Sequence, residues 1–149
     1  MKAEFHDYLT EIEMSTPLIQ RVEHFHDLYT NLLVTEPTHI FVTDLISEDD
    51  LRSYDSLWFF NDSQALEAHR FVDDEAFDLG GVSEVTLWRI DQEAFVANEA
   101  TSESRLKVTF SSRDGISGDL RATGNNCDYL WRLVRDWFVP RSAGATVST

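Results

Sequence analysis

Glu23, His24 and His26 stand close together, and a Glu-x-x-His pair such as Glu23 and His26 is half of the ligand set of a di-metal carboxylate bundle. Residues three apart on a helix project from one face, which is why that spacing serves. A bundle needs a second pair and further glutamates on neighbouring helices, and the predicted helices carry only one such pair. His24 and His26 lie about 200° apart around a helix, so they cannot both hold one ion. The segment therefore reads as a polar helix edge beside Phe25. Asp73, Asp74, Glu75 and Asp78 crowd together ahead of Gly80-Gly81, and hard cations favour clustered carboxylates. The order of an EF-hand is absent, so a solvated acidic loop is expected. Cys127 stands near a helix start, where a thiol is activated, but Asp128 beside it opposes the thiolate and no base is placed by spacing. It reads as a packed cysteine.

No G-x-S-x-G nucleophile turn occurs, and neither Gly80-Gly81 nor Gly115-x-x-Gly118 has the lysine or the strand-to-helix setting of a phosphate loop. No catalytic residue, cofactor or metal ligand is assigned, and a non-enzymatic protein is expected. Charge carries more information. The 149 residues have a formal charge of -15, which argues against holding nucleic acid by phosphate neutralisation. Residues 1–78 contribute 18 acidic and 4 basic side chains, and residues 79–149 contribute 9 and 8. An acidic first half keeps a protein soluble or meets a cationic partner. One cysteine permits no internal disulfide, and no signal peptide or apolar run of about 18 residues is present, so a cytoplasmic protein without membrane insertion is expected.

The elements that must position these groups follow from periodicity. Phe5, Tyr8, Leu9 and Ile12 form one helical stripe and predict a helix over 3–14. Ser15 and Thr16 before Pro17 mark a second start, a hydroxyl cap with proline at the first helical position. Leu18, Val22, Phe25, Tyr29, Leu32 and Leu33 then carry a helix to about 34, closed by Pro37. From Thr38 the period changes to two, with Ile40, Val42 and Ile46 opposite Phe41, Thr43 and Leu45. Ser47 and Asp50 resemble a capping box for one helical turn, and 56–60 (SLWFF) is a strand ending in the Asn61-Asp62-Ser63 turn. Residues 65–72 are open between a helix, which the alanines, Leu66 and Glu67 favour, and the hairpin partner of that strand, which the tight turn favours and which is preferred. Residues 73–81 read as an acidic loop, and 82–90 as a strand that 92–98 could continue. A polar loop is expected over 99–104. Arg113-Asp114-Gly115 joins strands 105–112 and 116–123 in a tight hairpin, for which Asp-Gly favours positive φ. Asn126 is the expected N-cap of a last helix carrying Leu130, Leu133, Val134, Trp137 and Phe138, ended by Pro140.

Helices at the ends with consecutive strands between them give an α+β class. The expected architecture is two N-terminal helices, a strongly bent antiparallel sheet or partly open barrel of about six or seven strands, and a C-terminal helix. In element order, over about 38–139, this resembles the pleckstrin-homology-like layout; an α+β sandwich is the second choice. Residues 1–139 are read as one domain, with 1–36 as a helical extension, 38–139 as sheet plus helix, and 140–149 as a disordered tail. The functional expectation is an acidic protein-binding or adaptor domain, of the inhibitor or immunity type, that engages a basic protein partner. Its contact residues would be Glu48, Asp49, Asp50, Asp55, Asp62, Asp73, Asp74 and Glu75, with Trp58 as an aromatic anchor. The alternatives are a barrel or sandwich holding a small apolar ligand, and a structural subunit that self-associates through its N-terminal helices.

Overall fold

The computed structural model of the chain describes residues 1–46, 51–98, 101–113 and 115–142. Two helices, α1 (Ala3–Glu11) and α2 (Thr16–Leu33), lead into β1 (His39–Ile46), β2 (Arg52–Phe60), β3 (Gln64–Ala68) and β4 (Asp78–Gly81). Then come β5 (Val85–Asn98), β6 (Thr101–Ser112), β7 (Ser117–Thr123) and α3 (Asn126–Leu133), which runs on through a π-helical turn, Val134–Phe138. The class is α+β, and all pairings are antiparallel: β1-β2-β3-β4 form one sheet and β5-β6-β7 another. Neither β4 with β5 nor β1 with β7 pairs in a ladder, so the sheets do not close into a barrel.

Several boundaries differ from the sequence reading, each for a local reason. Glu13 takes φ 67° and breaks α1 from α2, whose N-cap is Ser15, so Thr16 precedes Pro17 inside the helix and no side chain caps it. The acidic stretch is not all loop, because Asp78–Gly81 pairs with Gln64–Glu67 as β4. The expected polar loop is mostly strand, since β5 reaches Asn98 and β6 starts at Thr101. Gly115 does not take positive φ; among the described glycines only Gly124 does. What Gly115 supplies is room, because a Cβ there would lie 2.1 Å from the Gly81 carbonyl oxygen. Asp114 lies outside the described residues, as does the Ser47–Asp50 segment expected to form a helical turn. Pro140 does not end the last helix, which continues to Ser142. The Val139 amide bonds to Val134 O in the wide i−5 pairing of the π turn, and Arg141 Nη1 donates to Trp137 O at 2.9 Å. Residues 143–149 of the expected tail lie outside the described residues.

One core joins α1, α2, both sheets and α3. Trp58 and Phe60 point one way from β2, into rings of β6 and the π turn: Trp58 stacks on Phe60 at 5.6 Å, and Phe60 meets Trp137 at 4.6 Å. Phe59 points the other way, against His26 and Tyr29 of α2. Since β2 is covered on both faces, all three rings are buried.

A buried polar knot ties the ends of the chain to this core. Asp44, with no exposed surface, accepts from Arg52 Nε at 2.9 Å, from the Thr123 amide at 3.0 Å and from Asn126 Nδ2 at 2.7 Å. The Thr123 hydroxyl donates to it as well. Arg52 spends its remaining donors on Ile12 O, Thr123 O and Asn125 Oδ1. Asn126 is therefore not the N-cap; Asn125 takes that position, and the Asn126 side chain serves the knot.

Candidate functional site

Several carboxylates of the first half, Asp55, Glu67 and Asp78 among them, stand near one another around β3. β3 ends at Ala68, and Arg70 at φ 50° turns the chain so that the Asp73 and Asp74 amides both donate to Arg70 O at 2.9 Å. Arg21 of α2 holds the following segment. Its Nε and Nη2 donate to Phe71 O at 3.0 and 2.8 Å, its Nη2 to Asp74 O, and its Nη1 to the Glu75 carboxylate. His24 Nε2 lies 2.8 Å from the other Glu75 oxygen. Hydrogen bonds from Arg21 and His24 hold the Glu75 carboxyl below the usual carboxylate range.

The residues expected to meet a partner are thus unequally placed. Asp55 and Asp73 are exposed and have no ion-pair partner among the described residues, while Asp74 has Arg70 at 3.9 Å. Glu75 is held by Arg21, and Asp62 by Arg141 at 2.7 Å. Glu48, Asp49 and Asp50 lie outside the described residues. Trp58 is a correction: it is fully buried in the core and cannot serve as a surface anchor. The exposed tryptophan is Trp88, two-thirds accessible at a register shift of β5, its Nε1 donating to Ser111 Oγ at 2.6 Å.

Around β3 and β4 the structure brings together three side chains the sequence reading did not group. Glu67 and His69 are two positions apart, and Asp78 is the register partner of Glu67 across β3 and β4. His69 Nε2 lies 3.1 Å from Glu67 Oε1 and 2.9 Å from Asp78 Oδ2. Glu67 is buried, and burial pushes its carboxyl up to about 7; His69 works against that rise, and Asp78 and Asp55 add to it. A cleft of about 520 Å³ opens beside the three side chains, bounded by Leu79, Gly80, Ile116 and Ser117. A Glu-x-His pair at the end of a strand, next to an acidic stretch that can pair with that strand, is the signal that could have found it.

The other candidates do not converge. His26 of the Glu23-x-x-His26 pair is buried between Phe5 and Phe59, whereas Glu23 reaches out to His6 at 3.8 Å. Cys127 is buried, and burial followed by Asp44 and Asp128 pushes its thiol up to about 11, the opposite of a nucleophile. The cations of the second half gather elsewhere: Arg89, Arg105, Lys107 and Arg121 line a cleft of about 440 Å³ with Asp44 and Asp91. Arg89 pairs with Asp91 at 2.9 Å, and Lys107 with Asp119 at 3.7 Å. No helix among the described residues is long and apolar enough to cross a membrane. No protein-family model matches the chain, and no curated protein or solved structure matches it significantly.

Proposed function

We propose that the chain is a non-enzymatic, cytoplasmic, acidic protein-binding domain that engages a basic protein partner, in the manner of an inhibitor or immunity protein. The observation that carries this reading is the unbalanced carboxylate surface around β3 and β4. Exposed Asp55, Asp73, Asp74 and Asp78 face solvent there, with Arg70 3.9 Å from Asp74 and His69 2.9 Å from Asp78. A surface of one sign steers an oppositely charged partner and speeds encounter. The pleckstrin-homology-like layout belongs to the same proposal, supported by the order of four strands, three strands and a C-terminal helix. The apolar-ligand reading has less support, since Trp58, Phe60, Phe110, Trp137 and Phe138 fill the space between the sheets. Self-association through the N-terminal helices also has less, since Phe5, Tyr8, Leu9, Val22, Phe25 and Tyr29 are already buried within the chain.

The test is capture from native lysate on the tagged chain at about 0.05 M and about 0.5 M salt, with and without Asp73→Lys and Asp74→Lys together. A basic protein held at low salt, shed at high salt and lost from the double variant supports the reading. Equal capture in both salts, or by both proteins, overturns it.

A further inference from the structure

We propose that Glu67, His69 and Asp78 hold one divalent transition-metal ion, with its remaining ligands facing the adjoining cleft. Two neighbouring strands and the turn that follows the first of them bring the donors together. Glu67 is in β3 with Asp78 opposite it in β4, where paired side chains begin about 5 Å apart, and His69, the first residue of the turn after β3, sets its ring beside both carboxylates. One atom from each of the three lies within 4.8 Å of the others. Metal–ligand bonds of about 2.0–2.2 Å set adjacent donor atoms about 2.9–3.5 Å apart. The distances of 2.9 and 3.1 Å from His69 Nε2 to the two carboxylates already fall in that range.

Proton counting gives an independent argument. His69 Nε2 carries at most one N–H, yet it faces two carboxylates, one of them on a residue only 8% exposed. One N–H serves two acceptors poorly, whereas a dication gives each donor its own bond. The imidazole favours zinc, iron, nickel or a similar ion over calcium and magnesium, which take oxygen donors. Three protein ligands leave at least one position open, and the cleft past Gly80 and Ser117 supplies the space for water or a small anion there. This inference goes beyond the protein-contact reading and does not rest on it.

The test is calorimetric titration of the chelator-treated full chain with zinc chloride near pH 7, and with cobalt(II) followed by visible absorption. One site per chain is expected, weakened at least about tenfold by His69→Ala and by Asp78→Asn and unchanged by His24→Ala. The side chains of His69 and Asp78 are 51% and 68% exposed, so both variants are expected to fold, and a wild-type urea midpoint checks that. No saturable binding, wild-type affinity in His69→Ala, or loss of the site in His24→Ala overturns the proposal. A flat titration together with salt-sensitive capture of a basic protein would sink the metal site and leave the protein-contact reading standing.

Discussion

The Tyr8 hydroxyl donates to Asn126 Oδ1 at 2.8 Å and accepts from the Val42 amide at 3.0 Å, so one oxygen joins the first helix, the first strand and the start of the last helix. Burial raises its pKa far above the ordinary tyrosine value, and it stays protonated throughout the working range of the protein. Tyr8→Phe keeps the ring and strands two buried polar groups. It should cost about 1–3 kcal/mol in urea unfolding, with the slope unchanged. A loss under about 0.5 kcal/mol would mean that the Val42 amide and Asn126 find other partners.

Asp44 and Arg52 form the charged centre of the same knot, the carboxylate fully buried and the guanidinium nearly so. Removing one partner leaves an uncompensated charge, so Asp44→Asn and Arg52→Met should each destabilise by about 3–5 kcal/mol. The double variant should cost clearly less than the sum, because the two act as a unit. Strict additivity in the double-mutant cycle would contradict that coupling.

The knot also marks where sequence reading stops. The stripe of Phe5, Tyr8, Leu9 and Ile12 is legible because helical period and burial coincide within eight positions, and the β6–β7 hairpin because its partners are neighbours in sequence. Asp44, Arg52 and Asn126 carry no local signal. Asn126 looked like a cap, and only the arrival of β1, more than 80 positions away, gives its side chain other work. Trp58 turned on whether one face or both faces of β2 are covered, which strand period alone does not decide. Glu67 and His69 became a pair with Asp78 only through the β3–β4 register, and β4 was hidden because Gly80 and Gly81 read as loop. The acidity of the first half was countable from composition, but not which carboxylates stay unpaired, because Arg21 and Arg141 reach Glu75 and Asp62 from distant elements.

Cys127 gives a simple probe of the fold. Its thiol is raised to about 11 by burial, followed by Asp44 and Asp128. At pH 8 the native chain should react with a disulfide reagent at least about two orders of magnitude more slowly than a free cysteine, and at the ordinary rate once unfolded in urea. Fast labelling of the native protein would show that the β7–α3 corner opens readily.

His26 sets a pH dependence whose sign can be worked out. Burial lowers its pKa below 6.5, the ring lying edge-on to Phe5 and Phe59 with Nε2 unpartnered. Below about pH 6.5 the unfolded chain then binds more protons than the folded one. Stability must fall with acidification, by at most about 1.4 kcal/mol per pH unit for this group. His39, also lowered by burial, acts in the same direction. Glu67 acts against them, since its raised pKa makes the folded chain the better proton binder between about pH 4.5 and 7. The wild-type curve is therefore a difference, and the comparison with His26→Leu isolates one contribution. With chelator present, the variant should match the wild type near pH 8, because leucine also removes a buried unpaired nitrogen, and should lose less stability by pH 5.5. Parallel curves for the two proteins over that range would show that His26 takes up its proton in the folded state as easily as in the unfolded one.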